Sequence, residues 1–233
     1  MRVFVTHDTP GPQWQLGSPS PELGAFALVG WDGDARDGGV PEKIVDVLAA
    51  SLAGFGRVTF ACSAVSAGDA PGWTLRDGDF VMRHRARSVL GRMAARWSAA
   101  VPGDLVLLST VAEHSVAGLF DDAGYPWWNQ SQFVLVSSAD AAPPDFDRIG
   151  FDPVTLLGSG WLECLHALAP LGVQAILRPG VDGDVAGLLC ASSEVRDRFE
   201  AIISRCAQEG DVALRVVSAE EFSEGLASSA AGD

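Results

Sequence analysis

Strand-length apolar runs recur along the whole chain, and they constrain its fold more than any other feature. Eight such runs cover residues 2–6, 25–30, 57–62, 104–109, 132–137, 173–178, 185–190 and 212–217. Several are apolar throughout rather than alternating, which is typical of strands covered on both faces. The runs therefore predict a sheet with helices packed on each side.

Helical patterns lie between these runs. The first covers residues 41–53, with Pro41 in its first turn and Gly54 at its exit. Further helical patterns cover residues 82–100, 152–169, 194–208 and 219–226. The pattern over 194–208 is the clearest, because Ser193 is a good cap and Gly210 a good terminator.

Strands that alternate with helices favour a parallel sheet, because a helical crossover lets the next strand run in the same direction. One pair is an exception, since residues 173–178 and 185–190 are joined by a short Gly- and Asp-rich turn that indicates a hairpin. We therefore predict an α/β fold with a layered, mixed, largely parallel sheet flanked by helices.

The richest linker candidate is the Pro- and Asp-rich stretch at residues 137–153, which lacks apolar periodicity. We predict a single α/β domain over residues 1–233. The alternative is a boundary between two lobes within the loop 138–152. At 233 residues the chain is long enough to bury a core without disulfides or metals.

The cysteines and the first residues bear on the compartment. Cys62, Cys164, Cys190 and Cys206 form no CxxC pair, so we expect buried free thiols in a reducing compartment. The first ten residues lack the apolar core of a signal peptide, and no stretch has the roughly 20 apolar residues of a membrane span. We expect a cytoplasmic protein that does not associate with membranes.

The charge of the chain is strongly unbalanced. It carries 30 acidic and 16 basic residues, for a formal net charge of −14. Such a surface repels nucleic acid and anionic membranes and attracts basic proteins. We therefore expect a basic protein partner and no nucleic acid.

Six arginines are concentrated in one window, between Arg76 and Arg96. On a helix over residues 82–100, Arg85, Arg92 and Arg96 would follow one edge of an apolar stripe. The favoured interpretation is that these arginines cover the stripe with their stems and pair with acidic loops. An anion-binding site formed by Arg85, Arg92 and Arg96 is the alternative, and nucleic acid is less favoured still.

Three Asp-Gly-Asp triplets suggest calcium ligands, but their spacing favours turns. In the first, which begins at Asp32, the twelfth position of an EF-hand loop is occupied by Lys43 instead of a glutamate. Asp and Gly are also the residues that tight turns prefer. We expect neither a metal site nor a cofactor.

An aromatic segment precedes the run at 132–137. It contains Asp121, Asp122, Tyr125, Trp127 and Trp128. Adjacent tryptophans on an extended chain point to opposite sides, so one of them is left for solvent or a partner unless a loop covers it. Tyr and Trp dominate binding hot spots, and the two aspartates would attract a basic partner. We predict partner binding by these five residues.

Motifs for catalysis are absent: there is no GxSxG elbow, Walker loop or HExxH sequence. The best catalytic candidates are His7, Asp8, Glu113 and His114, which follow two strand-like runs. Ligands of open α/β sheets bind just beyond the carboxyl ends of strands. Whether the protein is an enzyme stays open at this point.

The leading hypothesis is a non-catalytic acidic protein that binds a macromolecular partner, such as an inhibitor or immunity-type protein that neutralises a basic enzyme. The alternative is a small-molecule enzyme or ligand-binding domain with its site near His7, Asp8, Glu113 and His114.

Overall fold

The computed structural model describes residues 2–7, 25–32, 42–63, 80–85, 104–111, 116, 133–152, 161–179, 185–218, 220–222 and 224. The strands in these ranges are β1 (Arg2–Thr6), β2 (Ala25–Asp32), β3 (Arg57–Ser63), β4 (Phe80–Arg85), β5 (Asp104–Thr110), β6 (Phe133–Ser137), β7 (Val173–Pro179), β8 (Val185–Cys190) and β9 (Ala213–Val216). The helices are α1 (Glu42–Phe55), α2 (Trp161–Leu168), a 3₁₀ turn (Ala169–Leu171) and α3 (Ser193–Glu209). All eight predicted strands are confirmed.

The strands form one sheet in the order β4-β5-β3-β6-β7-β8-β2-β1-β9. The mixed α/β class is confirmed, but the expectation of a largely parallel sheet is wrong. Within the described ranges every neighbouring pair is antiparallel except β1 and β9, which are parallel. Continuous apolar runs report burial on both faces, and they carry no information about strand direction.

The connection from β6 to β7 shows why the directions alternate. Ser137 at the end of β6 pairs with Val173 at the start of β7, and the Ser138 amide donates to the Gly172 carbonyl oxygen at 3.2 Å. The intervening chain, α2 included, therefore leaves the sheet at one end of its strands and re-enters it at that same end. A helix between two strands makes a parallel crossover only if it carries the chain to the opposite end of the strands. The predicted β7–β8 hairpin is confirmed.

A second correction concerns the arginine-rich segment. The helix predicted over residues 82–100 is wrong at its start, because Phe80–Arg85 forms strand β4. Pairing with β5 decides the conformation, with Phe80 opposite Ser109 and Arg85 opposite Asp104. Tertiary contacts with β5 therefore outweigh the local helical pattern of the sequence. Residues 86–100 lie outside the described ranges.

The sheet is buried on both faces, as the apolar runs predicted. On β6, Val134 and Val136 face the core beneath α1 and α3, whereas Phe133 and Leu135 face the core beneath α2. Helix α1 also packs against α3. The protein is therefore a layered structure with α1 and α3 on one side of the sheet and α2 on the other.

The loop 138–152 packs against the α2 side of this sheet. Phe146 is 1% exposed and lies 6.1 Å, centroid to centroid, from Phe151. The Arg57 Nε donates to the Ala141 carbonyl oxygen at 2.6 Å, which fastens the loop to β3. The loop thus shares a core with the sheet, while the organisation of the whole chain as one domain stays a prediction.

Helix α3 begins and ends close to its predicted limits. Ser192, one residue before the predicted cap, accepts from the Val195 amide. At the other end, the Val212 amide donates to the Ala207 carbonyl and the Asp211 amide to the Gln208 carbonyl. This is a Schellman motif in which Asp211, with φ of 53°, occupies the left-handed position that usually holds glycine.

Candidate functional site

Most of the predicted site residues lie outside the described ranges. These are Asp8, Arg92, Arg96, Glu113, His114, Asp121, Asp122, Tyr125, Trp127 and Trp128. Their assignment to catalysis, anion binding or partner binding therefore stays a prediction. Arg85 is described only through its backbone, in strand β4 and opposite Asp104, so its predicted position on a helix with Arg92 and Arg96 is wrong.

His7 lies at the carboxyl end of β1, as predicted. Its Nε2 contacts the Glu200 carboxylate on α3, and the two side chains are 35% and 20% exposed. Glu200 is also 3.8 Å from the Arg196 Nε, and Arg196 donates to Asp197 Oδ1 at 2.8 and 3.1 Å. The contact joins the end of β1 to the first half of α3.

Cys190 lies at the carboxyl end of β8, at the same end of the strands as His7, and it is fully buried. Burial is the main cause that raises the pKa of its thiol from 9.0 to about 12. The positive charge of Arg196 lowers this pKa, and the negative charges of Glu200 and Asp197 raise it. A thiol is a nucleophile only as the thiolate. Cys190 is therefore protonated at neutral pH and behaves as a small apolar core residue.

The two pairs of enzyme candidates follow different strands. His7 follows β1 and Glu113 follows β5, and these strands are six positions apart in the sheet. At about 4.8 Å per strand this is a lateral separation of roughly 29 Å along the sheet. The structure does not bring the ends of these two strands together. What does lie beside His7 is Glu200, which the sequence did not single out because 193 residues separate the two.

The described ranges contain neither a cluster of metal ligands nor a membrane-spanning helix. None of their His, Cys, Asp and Glu side chains gather in a group of three that could hold a metal ion. None of the helices described there is both long enough and apolar enough to cross a membrane.

A surface that the sequence analysis missed lies between α3 and β9. A depression of about 480 Å³ is lined by Ser204, Gln208, Asp211, Val212, Ala213 and Leu214. β9 is the last strand of the sheet, and no other described strand pairs with its outer side. Val216, on this strand, is 59% exposed, the largest value among the exposed large apolar side chains of the described residues. The run at 212–217 predicted the strand but gave no sign that it is an edge.

Comparison with protein-family models, with curated proteins and with solved structures found no match for this chain. Its function is therefore inferred from its charge and from its described surfaces.

Proposed function

We propose that this protein is a non-catalytic acidic partner-binding protein that neutralises a basic enzyme, in the manner of an inhibitor or immunity protein. The observation that carries the proposal is the formal net charge of −14, with a pI of about 4.5. A field of one sign steers an oppositely charged protein to the surface and raises the association rate by about 10- to 1000-fold.

The described surface supports this proposal. The segment from Ser193 to Glu224 carries eight carboxylates and four arginines. Arg196 pairs with acidic neighbours on α3, so that pairing removes charges of both signs. Eight carboxylates against four arginines leave the segment with a formal charge of −4.

The aromatic segment supplies the anchors of the proposed interface. Steering by charge raises association rates, but slow dissociation needs buried contacts. We propose that Tyr125, Trp127 and Trp128 provide these contacts and that Asp121 and Asp122 form an acidic rim around them. These five residues would then make most of the contacts that the protein forms with its partner.

The test is capture of a partner from the native host with the full-length protein as bait. We expect a cationic protein that is released by salt, and we expect Trp127→Ala and Trp128→Ala each to weaken its binding. Thermal unfolding of both variants is the control for folding. Retention that is indifferent to salt and to both substitutions would contradict the proposal.

We further propose a reducing compartment, the cytoplasm, as the place where the protein acts. Cys164, Cys190 and Cys206 are buried free thiols, as the sequence predicted. Free thiols without disulfides are usual where glutathione and thioredoxin keep cysteines reduced.

The second candidate is a small-molecule enzyme or ligand-binding domain with a site at the strand ends. The partly exposed contact between His7 and Glu200 at the carboxyl end of β1 is the observation that favours it. A thermal-shift screen of metals and anionic metabolites separates the candidates. A stabilising compound whose effect is lost in His7→Ala or His114→Ala would favour the second candidate, and no stabilisation would favour the first.

A further inference from the structure

The backbone groups on the outer side of β9 have no strand partner among the described residues. The Val217 amide donates to the Val5 carbonyl oxygen on β1 at 2.9 Å. Amide directions alternate along an extended strand, so the backbone of Arg215 also faces β1, whereas that of Leu214 and Val216 faces outward. No described strand accepts these outward groups.

The side chains of α3 and β9 form a channel along this edge, which is the depression lined by Ser204, Gln208, Asp211, Val212, Ala213 and Leu214. Leu214 and Val216 are the register partners of Val3 and Val5, whose side chains lie in the core beneath α3. Val216 therefore lies on the α3 side of the sheet with 59% of its surface exposed. Ser204 and Gln208 of α3 line the depression opposite β9, and both are exposed. An added strand would pair with the outward backbone groups of β9, and α3 would lie over one of its faces.

The charge at one end of this channel is negative. Helix α3 ends there, and it has no basic residue in its last turn to offset the partial negative charge of its carbonyl groups. Glu209 and Asp211 are exposed at this end, and neither has an ion pair in the described part of the chain. Arg205 is directed elsewhere, because its Nη2 lies 3.9 Å from the position of a Cβ built on Gly54 of α1.

We propose that the channel between α3 and β9 binds an extended, basic segment of the partner protein by strand addition. The backbone of that segment would pair with Leu214 and Val216, and a lysine or arginine side chain would meet Glu209, Asp211 and the end of α3. Strand addition takes affinity from main-chain hydrogen bonds and specificity from alternate side chains. This inference rests on the proposed function, which makes the partner basic.

A second copy of this chain is a poorer occupant. Two copies each carry a formal charge of −14, so edge-to-edge pairing would bring like charges together. β9 also carries Arg215, which would lie near its equivalent in an antiparallel pair. Solution mass is the check on self-association.

The backbone part of the proposal is tested by Val216→Pro in the full-length protein. Proline removes an amide that faces away from β1 and leaves the native ladder intact, so this variant is expected to fold. Arg215→Pro removes an amide that faces β1, and it is the matched variant expected to unfold at lower temperature. Val216→Thr keeps the amide and the branched shape, and it is the control for side-chain change.

The probe is an eight-residue peptide of alternating valine and lysine, followed by fluorescence anisotropy. We expect Val216→Pro to weaken its binding about tenfold and Val216→Thr to leave it within twofold. Asp211→Asn keeps a residue that tolerates the left-handed conformation and removes one negative charge from the helix end, so we expect binding about two- to fivefold weaker and stability equal to or slightly above that of the wild type. A peptide with glutamate in place of lysine should not bind.

Failure of the peptide to bind, or equal binding by wild type and Val216→Pro, would overturn the proposal. The captured cationic protein separates this result from failure of the proposed function. If that protein responds to salt and to Trp127→Ala but not to Val216→Pro, the channel proposal alone is wrong. If the peptide binds at β9 but no cationic protein is captured, the proposed function alone is wrong.

Discussion

The two ends of α3 differ in how their charges are satisfied. At the first end, residues 192–200, Glu200 meets His7 and Arg196, and Arg198 lies 4.8 Å above the Phe55 ring. At the second end, residues 204–211, Glu209 and Asp211 face solvent beside an edge strand. We call these the closed end and the open end.

This difference separates charged residues that are paired within the fold from charged residues that are exposed without an ion pair in the described part of the chain. A charge that is paired internally contributes little to the outer field, whereas an unpaired carboxylate contributes fully. The backbone of Asp211 is a second difference between the two ends, because it has a left-handed conformation that glycine adopts at lower cost. The closed end therefore contributes to stability, and we propose the open end as the part that recognises a partner.

Phe199→Ala breaks the closed end with the largest expected effect. Phe199 is 1% exposed and packs edge-on against Phe55, with ring centroids 6.1 Å apart. Truncation should lower the free energy of unfolding by about 3–5 kcal/mol. At the open end, Gln208→Ala should change it by no more than about 0.5 kcal/mol. Urea denaturation measures both, and similar losses would contradict the comparison.

High pH should lower the stability of the fold through Cys190, which is buried two residues before the closed end. The folded state holds the thiol neutral up to a pKa of about 12, while the unfolded thiol ionises above 9.0. Stability from this group is thus complete below pH 9 and declines between pH 9 and 12, by up to about 4 kcal/mol. Cys190→Ala should show a correspondingly flatter profile. Identical slopes for the two proteins in denaturation from pH 8 to 11 would show that Cys190 does not carry the effect.

Two isosteric changes give the smallest effects, with opposite signs. Glu200→Gln removes a partly buried paired charge and should lower stability by about 0.2–1 kcal/mol. Glu209→Gln removes a negative charge from the end of a helix and should raise stability by about 0.3–1 kcal/mol. Thermal melts of the two variants side by side provide the measurement. A loss of stability in both would mean that the open end is also held by its charges.

The positions of strands and helix ends were predictable from sequence where they depend on neighbouring residues. Apolar runs located eight strands, and Gly210 after a periodic apolar stripe located the end of α3. These signals depend on neighbours a few residues apart. Strand direction was not predictable, because it depends on the end of the strands at which a connection re-enters the sheet, as at Ser137 and Val173. Strand β4 was missed for a similar reason, since pairing with β5 outweighed its helical pattern.

The candidate site was predictable only in part. His7 was placed correctly at a strand end, because that position follows from the apolar run before it. Its partner Glu200 is distant in sequence, and only the packing of α3 brings the two together. The open edge of β9 likewise depends on the order of all nine strands, which no local pattern encodes.

We propose that an acidic surface of this protein recognises a basic partner, and the salt dependence of association tests this proposal most directly. The measurement is stopped-flow association of the full-length protein with the cationic protein that it captures, at low and at high ionic strength. We expect the association rate constant to fall by about 10- to 100-fold with added salt, while the dissociation rate changes little. An association rate that does not change with salt would contradict the account.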